Sequence, residues 1–232
     1  MASIALIGPD GAGKTTIARR IELSCDVPTR YLYMGVNIES SNVALPTTKL
    51  GLRIKRLLQS NRGRRCDASA TRASSKRTRL VRTLRAVARF SNLVADEWYR
   101  QVISWWHQMR GYIVLCDRYY PFDFNRHLQV DGQERRLFRF HRYLLERLYP
   151  RPTLVIFLDA PAAVLFARKR EGTLESLEAR RQSFLRLDQE LPNFVRIDAT
   201  RPVSEVVQEV SNHIRRIAGL GPTGSRLTEE RS

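Results

Sequence analysis

GPDGAGKT at residues 8–15 follows directly on a short apolar run, IALI, at residues 4–7. An apolar run of this kind predicts a buried strand. The glycines allow the backbone to turn tightly and bring its N–H groups close to a polyphosphate. Thr15 and Thr16 begin a helix whose positive N-terminal end faces that anion. The pattern G-x-x-x-x-G-K-[ST], in this strand–loop–helix context, therefore predicts a phosphate-binding loop.

The motif also predicts a chemical role for the polar residues near the loop. Lys14 is expected to reach the β- and γ-phosphates of a nucleotide, and the Thr15 hydroxyl to ligate Mg²⁺. Asp117 closes a later apolar strand, as the second metal-binding carboxylate of a phosphate-loop enzyme does, so Thr15 and Asp117 are the predicted metal ligands. The predicted nucleotide-binding residues are Gly8, Gly11, Ala12, Gly13, Lys14, Thr15 and Thr16.

Short apolar runs alternate with helical segments along the chain, which predicts an α/β fold with a parallel sheet covered by helices on both faces. Ligands of such a sheet bind beyond the carboxyl ends of its strands, where the phosphate loop and Asp117 both lie. The predicted strands are residues 4–7, 30–34, 112–117, 153–159 and 194–197, and the predicted helices are residues 15–24, 134–148, 161–170, 175–190 and 203–218.

The region between the second and third predicted strands has a different character. Residues 47–59 are predicted to be weakly helical, and residues 60–76, rich in Ser, Arg and Gly, to be an exposed loop. Residues 77–110 contain no Pro or Gly and have apolar residues at helical spacing. A break near Ser91 and Asn92 is expected to divide this stretch into two helices.

The composition is that of one globular domain. The chain has 232 residues, of which 43% are hydrophobic, enough for an α/β domain with its own core. The three cysteines, Cys25, Cys66 and Cys116, are odd in number and share no ligand-like spacing, which argues against a disulfide framework. No leader with a cleavage site and no apolar run as long as a membrane span is visible. The composition predicts a cytoplasmic protein without a membrane partner, and the four scattered histidines indicate no metal cluster.

The net charge of +17 is concentrated in one segment. Residues 53–89 contain thirteen Lys or Arg and a single acid, Asp67, a net charge of +12. Such a block predicts an anionic partner or a solvated basic surface. A nucleotide-dependent nucleic-acid-binding protein is one alternative function, but the segment has few aromatic side chains to stack on bases before Phe90, so nucleic acid is not the expected partner.

Two further charged residues are expected beside the phosphate loop. Arg118 directly follows Asp117 and can present a planar, bidentate donor to a phosphate. Asp10 lies inside the loop and puts a carboxylate beside the transferring phosphoryl group. The alternative for both aspartates is a turn residue that stabilises the local backbone.

Several segments together resemble the thymidylate kinase family and span most of the chain outside residues 36–90. The resemblance implies a three-layer P-loop kinase fold, that of a nucleoside-monophosphate kinase, with ATP in the phosphate loop and an arginine-bearing lid that closes over the phosphates. In that family the acid matching Asp10 positions the acceptor, and the arginine matching Arg118 binds the phosphate of the acceptor. The segments that carry the resemblance are GPDGAGKTT at residues 8–16, DRY at 117–119, LDAP at 158–161, ARKRE at 167–171 and IDA at 197–199.

The resemblance also implies how the chain is organised. Arg168 and Arg170 are expected to cover the transferring group when the lid closes, with a solvated helix face as the alternative. The predicted organisation is a kinase domain at residues 1–218, with a basic acceptor-side insertion at 36–90 and a lid at 168–178, and a flexible tail at 219–232. The predicted catalytic residues are Lys14, Asp10, Arg118, Arg168 and Arg170, and the predicted acceptor-binding residues are Asp10, Arg118, Tyr119 and Asp123.

Two regions on the acceptor side depart from the family's pattern. An arginine on the helix before the acid–arginine pair helps the family hold its acceptor, whereas residues 95–98 here are the acidic ADEW. The serine, aromatic residue and glutamine that usually follow the triplet are replaced by PFDFNRH at residues 121–127. The ATP half therefore matches the family better than the half that holds thymine.

The leading functional hypothesis is an ATP- and Mg²⁺-dependent kinase that transfers the γ-phosphate to a nucleoside monophosphate such as dTMP. The alternative within the same fold is a kinase for another small molecule, such as a sugar, a nucleoside or a glycan-pathway intermediate. A hydroxyl acceptor needs a carboxylate base, for which Asp10 and Asp123 are the candidates. The expected partners are ATP and a small anionic or hydroxyl acceptor, and a homodimer is compatible with the sequence.

Overall fold

A computed structural model of the chain describes residues 2–35, 76–119 and 147–221, together with Arg139 and Tyr143. The strands are β1 (Ser3–Ile7), β2 (Thr29–Tyr33), β3 (Ile113–Asp117), β4 (Leu154–Asp159) and β5 (Phe194–Asp198). The helices are α1 (Lys14–Ser24), α2 (Lys76–Met109), α3 (Ala162–Lys169), α4 (Leu174–Leu185) with a 3₁₀ helix (Arg186–Gln189) directly after it, and α5 (Val203–Ile217). None of these helices is both long enough and apolar enough to cross a membrane.

The five strands form an all-parallel sheet in the order β2-β3-β1-β4-β5. β1 lies at the centre, with Leu6 beside Asp117 of β3 and Ile7 beside Phe157 of β4. Because the strands are parallel, all their carboxyl ends lie at one edge of the sheet. The connections that follow β1, β3 and β4 therefore open at the same place, which is where an open α/β sheet binds its ligands.

The apolar core occupies both faces of the sheet. Successive side chains of a strand point to opposite faces, so Ile4 and Leu6 belong to a cluster covered by α1 and α5, and Ala5 and Ile7 to a cluster on the other face. α2 and the end of α4 cover this second cluster, to which Phe184 of α4 contributes. The sheet therefore lies between two layers of helices, as expected for strands that are apolar on both faces.

The sequence-based predictions of the strands agree with this architecture. Each of the five predicted strands overlaps an observed strand, and the α/β class with a parallel sheet is confirmed. The predicted helix at residues 175–190 is observed as α4 followed by the 3₁₀ helix. The weak helix predicted at residues 47–59, almost all of the loop predicted at 60–76 and most of the helix predicted at 134–148 lie outside the described residues.

The predicted break in the long helix is wrong. α2 runs without interruption for 34 residues, and Ser91 and Asn92 lie within it. Ser and Asn are only weakly unfavourable inside a helix, in contrast to Gly and Pro, and tertiary packing readily overrides that preference. The helix ends where the sequence predicts, because Gly111 adopts φ +85° and the Tyr112 N–H donates to the His107 carbonyl at 3.1 Å.

Candidate functional site

The loop between β1 and α1 is packed closely against the neighbouring backbone. A Cβ atom on Gly8 would lie 2.7 Å from the Leu158 carbonyl oxygen, at the end of β4. A Cβ atom on Gly11, which has φ +90°, would lie 2.7 Å from the Leu165 carbonyl oxygen in α3. Only glycine fits such approaches, so these two positions bring the loop backbone close to β4 and α3.

Lys14 is the first residue of α1 and its side chain folds back over the loop. Its Nζ donates to the carbonyl oxygens of Gly8 and Pro9, both at 2.7 Å, and the residue is buried. The N-cap residue is Gly13, which has no side chain to accept a hydrogen bond from the first turn of the helix. The first N–H groups of a helix have no partner within the helix, so the start of α1 brings such donors next to a buried ammonium group. The predicted contact of Lys14 with phosphates stays a prediction.

Thr15 and Asp117, the two predicted metal ligands, are in direct contact. The Thr15 hydroxyl donates to Asp117 Oδ2 at 2.5 Å, and the Tyr31 hydroxyl donates to the same oxygen at 3.1 Å. Asp117 is 0% exposed, and its other oxygen, Oδ1, is buried without a hydrogen-bond partner in the part of the chain that the structure describes. A buried, incompletely satisfied carboxylate oxygen beside a threonine hydroxyl is chemistry that suits a hard divalent cation.

The surroundings of Thr15 and Asp117 limit the kind of cation that could bind there. The described residues contain no group of three or more His, Cys, Asp or Glu side chains that could hold a metal ion. The oxygens of Thr15 and Asp117 therefore fit an ion such as Mg²⁺, which keeps several waters and completes its shell with substrate phosphates. Burial, and then the Asp117 charge, raise the pKa of Tyr31 well above its ordinary value, so Tyr31 remains a hydrogen-bond donor to Asp117.

Asp10 and Arg118 meet at the end of β3, and a second arginine joins them. Arg118 Nη2 donates to Asp10 Oδ1, and Arg180 Nη1 of α4 donates to Asp10 Oδ2 at 2.9 Å. Arg118 has the left-handed backbone conformation, with φ 61°, which is uncommon for a residue other than glycine. Strained conformations of this kind cost energy and concentrate at functional sites. Both oxygens of the Asp10 carboxylate thus accept charge-assisted hydrogen bonds beside the loop.

Asp10, Arg118 and the residues at the start of α1 line one cavity of about 410 Å³. Its lining comes from the phosphate loop and the start of α1, from the end of α3, from the residues that follow β5 and from the start of α5. Five cationic side chains line the cavity against a single acid, Asp10, so the cavity suits a polyanionic ligand. The lining residues are Asp10, Gly11, Ala12, Gly13, Lys14, Thr15, Thr16, Ile17, Arg118, Arg168, Lys169, Ala199, Arg201, Val203 and Val206.

The two predicted lid arginines occupy different positions. Arg168 lines the cavity together with the phosphate loop, and its Nη1 donates to the Ala199 carbonyl at 2.9 Å. Arg170 follows α3 as its C-cap, has φ 52°, is exposed and is not among the residues that line the cavity. In this conformation Arg168 is near the predicted phosphate site, whereas Arg170 is not.

The predicted acceptor-binding residues are only partly brought together. Tyr119 is buried in the core cluster of the α2 face and packs edge-on against Tyr149, with ring centroids 5.5 Å apart. Asp123 lies outside the described residues. Of the four predicted acceptor-binding residues, Asp10 and Arg118 therefore line the cavity.

The region of α2 that looks acidic in the sequence also contains a buried arginine. Arg100 donates from Nη1 to the Gly35 carbonyl at 2.6 Å and from Nε to Asp96 at 2.9 Å. Both side chains are fully buried, and Glu97 beside them is buried as well. Asp96 and Arg100 form an internal ion pair within α2, and the contact of Arg100 with Gly35 holds the chain after β2.

Sequence reasoning missed three residues that contact this site or its surroundings. Arg180 could have been suspected because it lies between the apolar residues Leu177 and Phe184 at helical spacing, on the side of α4 that faces the protein. Arg100 follows Asp96 at the i, i+4 spacing of an ion pair. Tyr31 gave no signal beyond being an aromatic residue in an apolar strand.

The comparisons with known proteins contribute no identification. No protein-family model matches the chain, and the search of curated proteins likewise gives no match.

Proposed function

We propose that the chain is an ATP- and Mg²⁺-dependent phosphotransferase of the P-loop kinase type that transfers the γ-phosphoryl group of ATP to a nucleoside monophosphate such as dTMP. One observation carries the proposal. The phosphate loop, its lysine, Thr15 and the Arg118–Asp10 pair line a single cavity at the carboxyl edge of a parallel sheet, and Thr15 is hydrogen-bonded to the buried Asp117 at the end of β3. A generic glycine-rich turn explains none of the long-range contacts in this set.

The donor half of the proposal follows from the charges around the loop. The start of α1 would direct its first backbone N–H groups at the β- and γ-phosphates, and Lys14 would exchange its contacts with the Gly8 and Pro9 carbonyls for contacts with the same phosphates. Thr15 and Asp117 would hold Mg²⁺, which when bound neutralises part of the phosphate charge. Arg168, Lys169 and Arg201 line the same cavity and would add positive charge beside a bound nucleotide.

The choice of acceptor in this proposal depends on the hydrogen bonds of the Asp10 carboxylate. Both of its oxygens accept hydrogen bonds from guanidinium groups, so Asp10 is poorly arranged to remove a proton from an alcohol. A phosphate monoester arrives already ionised and needs no base. Arg118 can neutralise such a group with a planar pair of donors. This favours a monophosphate over the hydroxyl acceptors of the alternative function.

The chemical step is a direct displacement. An oxygen of the acceptor phosphate forms a bond to the γ-phosphorus as the bond from that phosphorus to the β,γ-bridging oxygen breaks, and ADP leaves with the bridging oxygen. Positioning and charge neutralisation supply most of the catalysis in such transfers. The residues assigned to that role are Lys14, Asp10 and Arg118, with Arg168 when it approaches the phosphates.

The decisive experiment is an acceptor screen with a matched pair of variants. Nucleoside monophosphates including dTMP, the corresponding nucleosides and simple sugars are incubated with ATP and Mg²⁺, and both ADP and phosphorylated acceptor are measured. Lys14→Ala should lose most turnover while keeping its fold, because an electrostatic donor of this kind contributes about 10²- to 10³-fold in rate. Arg20→Ala, which removes an exposed charge from the same helix, should be as active as the wild type.

Two outcomes would reject the proposal. One is a folded Lys14→Ala variant with undiminished turnover. The other is a wild-type protein that neither binds Mg-ATP nor forms product with any acceptor. Product from nucleosides or sugars but from no monophosphate would replace the leading function with the hydroxyl-acceptor alternative.

A further inference from the structure

Asp10 is held by two arginines that come from distant parts of the chain. Arg118 follows β3 and binds Oδ1, whereas Arg180 lies on α4 and binds Oδ2 at 2.9 Å. Both arginine side chains are 19% exposed and Asp10 is 5% exposed, so the three groups lie mostly out of solvent. Arg180 is 170 residues from Asp10 in sequence and belongs to no motif at residues 8–16 or 117–119.

The packing of α4 explains how Arg180 reaches the loop. Thr173 begins the helix with a capping box, accepting from the Ser176 N–H at 3.2 Å while the Ser176 hydroxyl accepts from the Thr173 N–H at 3.0 Å. Leu177 belongs to the apolar cluster on one face of the sheet, and Phe184 belongs to the cluster on the other face. The turn between them therefore passes the carboxyl edge of the sheet, and Arg180 lies on that turn.

The adjacent Arg181 binds a different aspartate. Its Nε and Nη2 donate to the two oxygens of Asp159 at 2.6 and 3.0 Å, and Arg196 also donates to Asp159 at 2.5 Å. Arg181 is 20% exposed, almost the same as Arg180. Asp159 closes β4 and is not among the residues that line the phosphate cavity. Two neighbouring arginines on one helix thus anchor it to two aspartates, of which only Asp10 belongs to the proposed site.

We propose that Arg180 is a positioning residue for phosphoryl transfer, acting through Asp10. A carboxylate held at one oxygen can rotate about its Cβ–Cγ bond, whereas donors at both oxygens fix its plane relative to the loop. The inference rests on the proposed function, because it assigns Arg180 to the step in which the acceptor meets the phosphoryl group.

The test compares Arg180→Gln with Arg181→Gln in the full chain. Thermal unfolding reports on the fold, titration with a non-hydrolysable Mg-ATP analogue reports on the donor site, and steady-state kinetics with the acceptor found by screening report on transfer. Arg180→Gln should lower kcat/KM for the acceptor by about 10- to 100-fold, the size expected for one charge-assisted hydrogen bond, and leave analogue affinity within about 2-fold. Arg181→Gln should lower the melting temperature without changing the kinetics.

Two further variants separate positioning from a structural role. Arg180→Lys keeps the charge and one donor, so it should recover part of the lost kcat/KM. In an Asp10→Asn background, Arg180→Gln should reduce the residual kcat/KM by less than about 2-fold, because effects of residues that act through one contact are not additive.

The outcomes distinguish the inference from the proposed function. Equal kinetics for the wild type and Arg180→Gln, or the same full loss in the Asp10→Asn background, would overturn the role of Arg180 alone. If Arg180→Gln does not fold, Arg180→Lys decides by the same comparison. A wild type without turnover or analogue binding would overturn the proposed function and the role of Arg180 with it.

Discussion

Replacing Gly11 by Ala tests how closely the phosphate loop is packed. Gly11 has φ +90°, and a Cβ atom at this position would lie 2.7 Å from the Leu165 carbonyl oxygen and 3.3 Å from the Leu165 Cα. These are backbone atoms of α3, so neither can move aside without shifting the helix. The substitution therefore combines an unfavourable backbone conformation with a steric clash.

The two contributions can be separated by a matched control. Gly111 has φ +85°, but a Cβ atom added there would meet none of the described heavy atoms within 4 Å, so Gly111→Ala introduces the backbone strain without the clash. The left-handed conformation costs about 1–2 kcal/mol for a residue with a Cβ atom. Overpacking adds about 1–3 kcal/mol. Gly11→Ala should therefore lower the free energy of unfolding by about 2–5 kcal/mol, against about 1–2 kcal/mol for Gly111→Ala.

Urea unfolding followed by circular dichroism measures both values under identical conditions. The difference between the variants gives the clash at Leu165, provided that the slopes of the two transitions agree. Equal destabilisation by Gly11→Ala and Gly111→Ala would refute the reasoning, because it would mean that a Cβ atom on residue 11 does not clash with the Leu165 carbonyl oxygen.

Two other substitutions test the charged groups. Arg118→Lys should lower kcat/KM for the acceptor by an amount equivalent to about 2–4 kcal/mol, as for loss of an electrostatic donor, with Mg-ATP affinity nearly unchanged; equal kinetics would show that Arg118 only braces the end of β3. Lysine also has a Cβ atom, so the backbone strain at φ 61° is the same in both proteins. Burial acts to raise the pKa of Asp159, but hydrogen bonds from Arg181 and Arg196 outweigh it and hold that pKa below its ordinary value of 3.8. The ionised Asp159 therefore stabilises the fold above about pH 4, and this contribution is lost as the pH falls below 3.8 through the folded-state pKa. Urea unfolding should show Asp159→Asn less stable than the wild type at pH 7, with a smaller difference at pH 3; a constant difference would contradict the assignment.

Much of the fold could be predicted because the signals are local. Strands such as Ile113–Asp117 are short apolar runs, and the alternation of such runs with helices leads to a parallel sheet. The break expected near Ser91 does not occur, because tertiary packing of the 34-residue helix overrides the weak local preference of Ser and Asn against helix.

Some residues of the candidate site could likewise be predicted from the sequence, and others could not. The phosphate loop is a contiguous motif, and Asp117 and Arg118 follow a strand whose carboxyl end must lie at the same edge as that loop. Their meeting with Thr15 and Asp10 was therefore predictable from order along the chain. The placement of Arg168 on the cavity wall and of Arg170 at an exposed helix end depends on where α3 stops, which sequence locates only to within a few residues.

What the sequence by itself determined is the phosphate loop, the parallel sheet around it and the acid–arginine pair at the end of β3. Each of these depends on residues that are neighbours in the chain or on the rule that parallel strands end at one edge. Only the tertiary structure decided that Arg180 is the second arginine that binds Asp10, and that Tyr31 binds Asp117. These partners are 170 and 86 residues apart, and their contact depends on the position and rotation of α4 and β2 against the rest of the core. Packing of side chains such as Leu177 and Phe184 sets that rotation, and it has no signature in the local sequence around Asp10.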